Sequence, residues 1–366
     1  MPLSPVFFFT KYTRAGASSR YRTYQYLQFL QLSGCPVVVH PLFDDSYLEQ
    51  KYESGTVPLV DVLKALTRRV FRILDLQRQA VVVIEYELLP WFPAVFERFL
   101  MWRGCKVMVD YDDALFHQYD THPKWLVRKL LGGKIASVMR LANTVMVGNQ
   151  YLASYAKAAG AKRVELVPTV IDLSRYPTLS IAKDSGEFVI GWIGSPSTAK
   201  YLQSIAPALA ELCKATNVKV RLVGSGYIDL PSVSVETVAW KDDTEVDEIR
   251  RFDVGIMPLP DEPWTRGKCG FKLIQYMACG LPVVASPVGV NAEIVSDDVN
   301  GFLATTTHEW VQALLRLKDD RALRQRMGQE GRKRIEEKYC LQVTAQKWVS
   351  LIEELHKPNQ PLTGQS

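Results

Sequence analysis

No run of apolar residues in this sequence approaches the roughly 18 needed to cross a bilayer, so no membrane-spanning helix is expected. There is no Cys-x-x-Cys pair. The six cysteines (Cys35, Cys105, Cys213, Cys269, Cys279 and Cys340) are scattered, which excludes zinc-finger spacing and argues against a disulfide framework. They are expected to pack as small buried hydrophobes. The opening MPLSPVFFFT lacks a basic stretch, and its apolar run stops at Thr10-Lys11, too early for a secretory signal. The chain is therefore expected in the cytoplasm. Neither half shows G-x-G-x-x-G after its first strand, which removes the dinucleotide-binding fingerprint. No repeat or low-complexity tract is present. The net charge of +5 is too small to argue for nucleic acid. Its distribution is uneven: residues 1–180 carry 22 Lys+Arg against 15 Asp+Glu, and the remainder carries 22 against 24. A basic first half suits an anionic substrate or an anionic membrane surface, although solvated surface charge gives the same asymmetry.

What is present is ordinary globular material. The 366 residues, 47% hydrophobic and 23% charged, suffice for a core in each of two domains. Short β-branched runs alternate with amphipathic stretches, the pattern of a parallel sheet covered on both faces. Strands are predicted at Val6–Phe9, Val37–His40, Val81–Ile84, Lys106–Asp110 and Thr144–Val147. A second series follows at Phe188–Ile193, Lys219–Val223, Val233–Val238, Val254–Met257 and Pro282–Ala285. Helices are predicted at Ser19–Leu32, Pro58–Gln77, Pro93–Arg103, Trp125–Leu141 and Tyr151–Ala159. In the second half they fall at Ala199–Lys214, Thr244–Arg251, Phe271–Cys279, Glu309–Lys338 and Leu341–Leu355. The division expected is residues 1–180, residues 181–340, and a C-terminal helix with a polar tail over 341–366. The linker is placed near Leu173–Gly186. In doubly wound sheets ligands sit at the carboxyl ends of strands, so candidate residues are sought there.

After the first strand, Arg14-Ala15-Gly16-Ala17-Ser18-Ser19-Arg20 leads into a helix. Gly16 and Ser18 allow close backbone approach to a phosphate, and Arg14, Arg20 and Arg22 add positive charge. Helix capping by Ser18 or Ser19 is the plain alternative. The fourth strand runs into Asp110-Tyr111-Asp112-Asp113, followed by His117. Carboxylates there are costly unless solvated or functional, which makes Asp112, Asp113 and His117 candidate catalytic groups beside a capping role. Glu85 and Glu87 end the preceding strand. In the second half, Gly194-Ser195-Pro196-Ser197-Thr198-Ala199-Lys200 follows a strand, and a lysine in a first helical turn is unfavourable without an anion nearby. The segment from Arg266 to Gly289 reads as a loop, a helix from about Gly270, a Gly stop at Gly280 and a buried strand. Lys268 and Lys272 flank its helix start with Gly270 and Phe271, and Gln275 lies one turn on, within reach of a ribose hydroxyl.

The run YMACGLPVVASPVGVNAEIVSDDVNGFLA, from Tyr276 to Ala304, closely resembles the C-terminal signature of the family 4, "group 1" glycosyltransferases. Val167-Pro168-Thr169-Val170-Ile171-Asp172 resembles that family's element before the linker, and Gly16 with its neighbours matches its N-terminal Gly loop more loosely. The resemblance implies a GT-B fold: two Rossmann-like doubly wound domains facing a cleft, with a last helix returning to the first domain. It implies retaining transfer from a nucleoside-diphosphate sugar to a glycan or lipid-linked acceptor, with no bound metal and no cofactor. The donor would meet Gly16, Ser18, Gly194, Ser195, Lys200, Lys268, Gly270, Phe271, Lys272 and Gln275. The sequence departs from the family where Glu, seven residues, Glu is usual: here Gly267 and Gln275 stand. The family's phosphate-loop Arg falls on Ser195, while its Lys matches Lys200, so Lys268 and Lys272 are expected to replace the lost charge.

Asp-x-Asp also serves as the metal-diphosphate motif of another glycosyltransferase fold, but the repeated strand–helix pattern does not suit that fold. A sugar-nucleotide epimerase on the same scaffold would need dense His and carboxylate chemistry in both domains, and the second half has only His308 and His356. A non-catalytic sugar-nucleotide binding protein is the third reading, made credible by the altered donor motif. The stretches Leu59–Gln79 and Trp125–Arg140 are amphipathic and basic, as peripheral contact with an anionic membrane requires, though core-facing helices share the pattern.

Overall fold

The computed structural model describes residues 4–177, 186–215 and 217–357, without the side chains of 52–54 and 215. The chain divides into two compact units, Met1–Thr169 with Thr344–Ser366, and Val170–Val343. Each holds a six-stranded parallel sheet. In the first unit these are β1 (Val6–Thr10), β2 (Val37–Pro41), β3 (Val81–Glu85), β4 (Lys106–Tyr111), β5 (Thr144–Val147) and β6 (Val164–Leu166), in the order β2-β1-β3-β4-β5-β6. In the second they are β7 (Phe188–Ile193), β8 (Val218–Val223), β9 (Val235–Val238), β10 (Val254–Met257), β11 (Val283–Ala285) and β12 (Gly301–Leu303), in the order β12-β11-β10-β7-β8-β9. This is the doubly wound α/β architecture expected for each half. The central strands β3 and β5 are buried along their whole length, which is why they read as unbroken apolar runs rather than alternating ones.

The sequence reading missed β6 and β12. Both are three-residue edge strands, too short to stand out from the loops around them. Four predicted helices are interrupted. Ala199–Lys214 is a 3-10 helix at Lys200–Ile205 followed by a helix at Ala206–Ala215. Ser19–Leu32 is a helix at Ala17–Arg22, a 3-10 turn at Tyr24–Tyr26 and a helix at Leu27–Leu32. Trp125–Leu141 breaks at Gly132-Gly133 into Trp125–Leu131 and Lys134–Leu141. Glu309–Lys338 breaks at Asp320, whose side chain accepts from the Leu323 N–H and starts a new helix, Arg321–Lys338.

The boundary near residue 180 moves to Thr169. Ile171 and Tyr176 are buried in the core of the second unit, and Ile171 exchanges backbone hydrogen bonds with Tyr339 and Leu341 at 3.2 and 2.8 Å. Much of the expected linker, and the polar tail after Lys357, lie outside the described residues. In the second unit the aromatic rings of Phe252 and Tyr276 lie directly on the sheet. A Cβ on Gly191 would come within 1.9 Å of Phe252, and one on Gly255 within 2.2 Å of Tyr276, so only glycine admits them.

In the first unit the helix Leu341–His356 supplies Trp348, 1% exposed, whose indole stacks on Tyr26 and Phe8 with ring centroids 5.0 and 5.9 Å away. Truncating a fully buried Trp leaves a large void. Trp348→Ala is expected to lower unfolding free energy by about 3–5 kcal/mol, read from the urea midpoint; a change within the error of the measurement would show that the helix is not part of this core.

Candidate functional site

In the first unit β1, β3 and β4 end side by side, with Glu85 opposite Asp110 in register. Burying carboxylates requires each to find donors, and each does. Arg22, 1% exposed, forms a two-point ion pair with Asp110, itself 3% exposed, through Nε at 2.9 Å and Nη2. Its Nη1 also donates to the Val167 carbonyl at 2.7 Å. Glu85 accepts from Ser19 Oγ at 2.7 Å and from the Lys11 N–H at 3.2 Å. Glu87 accepts from Tyr119 Oη at 2.9 Å and from Lys134. Desolvation raises the Asp110 carboxyl above its usual range, with Arg22 acting against that rise. Glu85 is pushed up to about 7 by burial, the Ser19 hydrogen bond opposing and the neighbouring Asp112 and Asp110 adding to the rise.

Nearer the surface, Ser18 Oγ donates to both oxygens of Asp112 at 2.9 Å and lies 2.8 Å from Tyr86 Oη, which also bonds Asp112. Tyr86 holds φ at 62°, a left-handed conformation costly for a bulky residue, and this turns its hydroxyl to Asp112. Sequence reasoning missed Tyr86 as a site residue, since no pattern signals a tyrosine at positive φ. Asp113 sits beside Asp112, half-buried.

Several expectations need correction. Arg22 is not available to a phosphate, because its charge is committed to Asp110. Neither Ser18 nor Ser19 caps the helix Ala17–Arg22; both side chains turn to the carboxylates. Gly16 is explained by packing, since a Cβ there would lie 2.4 Å from that of Tyr12. The partners of His117 are local. Its Nδ1 lies 2.9 Å from Asp120 and its Nε2 2.8 Å from Tyr151 Oη, so both ring nitrogens are occupied by a local pair.

In the second unit, Gly194 follows β7 and the helix Phe271–Ala278 begins after Gly270, whose φ of 66° lets the chain turn into it. A Cβ on Gly194 would lie 2.7 Å from Lys272 Cε and 2.6 Å from the Trp192 ring, so these three meet. The Lys272 ammonium stands 5.3 Å above the Trp192 indole. A lysine held at a helix start opposes the helix dipole, and an anion there would relieve both. Asn291 was also missed. It is fully buried, its Nδ2 donates to the Ser286 carbonyl at 3.2 Å, and its Oδ1 has no hydrogen-bond partner among the described residues. That oxygen lies 3.7 Å from where a Cβ on Gly270 would stand. Its signal was its place inside the VGVNAEIV run.

The other residues expected to meet a donor have contacts of their own. Lys268 lies 5.3 Å over the Trp264 ring, and Lys200 5.4 Å over Tyr201. Ser195 precedes the short helix Pro196–Ala199, its hydroxyl 2.9 Å from that of Ser197. Phe271 is half-buried at the first position of its helix. Gln275 is corrected: it is 3% exposed and turned inward, its Nε2 donating to Glu245 at 2.8 Å and lying 3.3 Å from Tyr176 Oη. One turn into the helix, the inward side is the apolar side, and Gln275 lies on it between buried Ile274 and Tyr276.

Residues 187–320, most of the second unit, match the family described as Glycosyl transferases group 1. The probable sucrose-phosphate synthase of Thermosipho melanesiensis is 34% identical over 85 residues, 23% of this chain and 19% of that protein. The chain thus matches about a fifth of that relative's length. The structure is similar to sucrose-phosphate synthase from Thermosynechococcus elongatus, with TM-score 0.70 and 17% identity over 96% of this chain and 99% of that one. It is also similar to HepE from Anabaena in complex with UDP-glucose, with TM-score 0.66 and 15% identity over 96% and 99%. These likenesses establish the fold as GT-B.

Glu85 makes the stability of the first unit pH-dependent. In the unfolded chain it ionises near the ordinary value of 4.5, and in the folded chain at about 7. Between those values the folded state holds a proton that the unfolded state has released, so the contribution of Glu85 to stability falls as pH rises through the interval. Glu85→Gln is expected to flatten the decline in Tm between about pH 5 and about pH 8; parallel curves for the two proteins would show that Glu85 does not titrate there.

Proposed function

We propose that this chain, whose second unit carries the group 1 glycosyl transferase domain and whose fold is GT-B, moves a sugar from a nucleoside-diphosphate sugar to a glycan or lipid-linked acceptor with retention of anomeric configuration. The observation that supports it most directly is the meeting of Gly194, Lys272 and the start of the helix Phe271–Ala278 at the strand ends of the second sheet. Cleaving the bond between the anomeric carbon and the diphosphate oxygen leaves negative charge on the diphosphate. Backbone N–H groups at a helix start and a lysine ammonium stabilise that charge without a metal or cofactor. The UDP-glucose in the HepE structure supports a nucleotide sugar as the donor class.

On the first unit, Asp112, oriented by Ser18 and Tyr86, is the group suited to accept a hydrogen bond from the attacking acceptor hydroxyl, with Asp113 beside it. His117 is assigned no step. Peripheral contact with an anionic membrane brings the enzyme to a lipid-linked acceptor.

A second reading, a sugar-nucleotide binding protein without turnover, is favoured by Gly267 and by the inward-turned Gln275, which stand where the family usually has two Glu. The two readings separate on donor turnover. UDP, GDP, ADP and CMP, with and without magnesium, are the probes for a thermal-shift screen. One nucleoside diphosphate is expected to raise Tm independently of magnesium, and its sugar donor to be consumed when acceptor or water is present. Lys272→Ala is expected to weaken that nucleotide by about tenfold, the loss of one charge-assisted contact. Unchanged affinity in Lys272→Ala would sink the diphosphate assignment, and binding without donor consumption would leave the second reading standing. Asp112→Asn is expected to cut transfer about a hundredfold with nucleotide affinity retained; wild-type transfer rates would remove Asp112 from the chemistry.

A further inference from the structure

Most of the exposed large apolar side chains among the described residues lie in one stretch of the first unit, between Leu59 and Leu130. On the helix Leu59–Asp75 they form a stripe. Val60, Leu63, Phe71 and Leu74 recur at helical spacing and are 60%, 52%, 67% and 48% exposed. The core-facing side of the same helix is a different stripe, Ala65, Arg69 and Ile73. The outward stripe is therefore not spent on this core. Lys64, Arg68 and Arg72 occupy the third side of the helix, all exposed.

Two further exposed sets join the first through direct contacts. On the helix Val95–Trp102 they are Val95 and Trp102, the latter 76% exposed, with Trp91 and Phe92 just ahead. Arg103 donates to the Leu74 carbonyl at 3.1 Å, which brings the ends of these two helices together. On the helix Trp125–Leu131 the exposed side chains are Trp125, Leu126 and Leu130. The Trp91 ring packs edge-on against His122, centroids 5.7 Å apart, just before that helix. The second helix adds Arg98, and the third Arg128 and Lys129, the last standing 5.5 Å over the Trp125 ring. Against this charge stand Asp61, paired with Lys64 at 3.3 Å, Asp44, 3.9 Å from Arg68, and the exposed Asp75, while Glu97 is buried; Arg72, Arg98, Arg128 and Lys129 remain in excess.

We propose that this face of the first unit rests on the surface of an anionic lipid bilayer. Apolar side chains at helical spacing, bordered by tryptophans and interleaved with lysine and arginine, suit burial at the headgroup boundary with the cations among lipid phosphates. The exposed cations of these helices, Lys64, Arg68, Arg72, Arg98, Arg128 and Lys129, make a charge complementary to anionic headgroups, which favours such a lipid surface as the occupant. Among the described residues no helix is long and apolar enough to cross a membrane, so the contact is peripheral. The inference deepens the membrane-contact part of the proposed function, and it stands independently of whether the chain turns over a donor.

The test is flotation of the full chain with phosphatidylcholine vesicles, with and without phosphatidylglycerol, at low and high salt. The protein is expected to float with the phosphatidylglycerol vesicles, to stay down with phosphatidylcholine alone, and to be released as salt screens the contact. Phe71→Glu and Trp102→Glu are each expected to reduce partitioning by about tenfold. Both sites are exposed, so Tm and any nucleoside-diphosphate shift should stay at wild-type values, which separates loss of docking from loss of folding. The proposal is overturned if the wild-type chain ignores anionic vesicles at low salt, or if both variants float as well as it does. It is equally overturned if sedimentation shows a dimer that Phe71→Glu dissociates and vesicles do not displace. Flotation without any nucleotide shift would support the docking face and count against the transferase reading alone.

Discussion

Three carboxylates crowd the strand ends of the first sheet, and the ion pair between Arg22 and Asp110 makes that crowding tolerable. Asp110 lies in register with Glu85, and Asp112 follows two residues later, so their charges reinforce one another in a place with little water. Arg22 is the cation that meets Asp110 there, and it does so with a two-point fork that leaves another N–H for the Val167 carbonyl. That single side chain therefore ties the helix Ala17–Arg22 to β4 and to the chain just past β6. Glu85, without a cation of its own among its hydrogen-bond donors, is left to absorb the cost as a raised pKa. Removing one member of such a pair strands the other charge, which is far costlier than never having buried either.

With Asp110 neutralised internally, Asp112 and Asp113 are left half-buried, and the orientation of Asp112 is set by Ser18 and by a tyrosine held in an unfavourable backbone conformation. Strain of this kind persists only where surrounding packing over-determines it. The second unit solves a related problem differently. Aromatic rings laid on glycine positions of β7 and β10 compress the sheet's covering layer, and Trp192 at the end of β7 offers a face to Lys272. The lysine is thus held near a helix start that electrostatics alone would make it avoid.

Much of this was legible in advance. Parallel strands buried on both faces leave apolar runs that no surface constraint dilutes, which made the central strands legible; the half-exposed edges β2 and β9 showed through their β-branched residues, and among the described residues the three-residue edges β6 and β12 escaped. The helix start at Gly270, the close approach at Gly194 and the carboxylate cluster after β4 were also visible, because each uses a residue type that is expensive elsewhere. Side-chain direction was not legible. The chemistry and spacing of Arg22, Gln275 and His117 suit a ligand, yet each turns to a neighbour supplied by a distant part of its own unit or by the next turn.

The sequence by itself determined the two α/β sheets, the strand ends at which chemistry is possible, and the basic character of the first half. Those follow from periodicity, turn residues and charge, all of which are local. Only the tertiary structure decided which charges are spent internally, that Tyr86 stands beside Asp112, and that the helix Leu59–Asp75 has an apolar stripe left over after its core side is satisfied. The reason is that burial and pairing depend on which segments meet, and a side chain's partner can lie more than a hundred residues away, as Val167 does from Arg22.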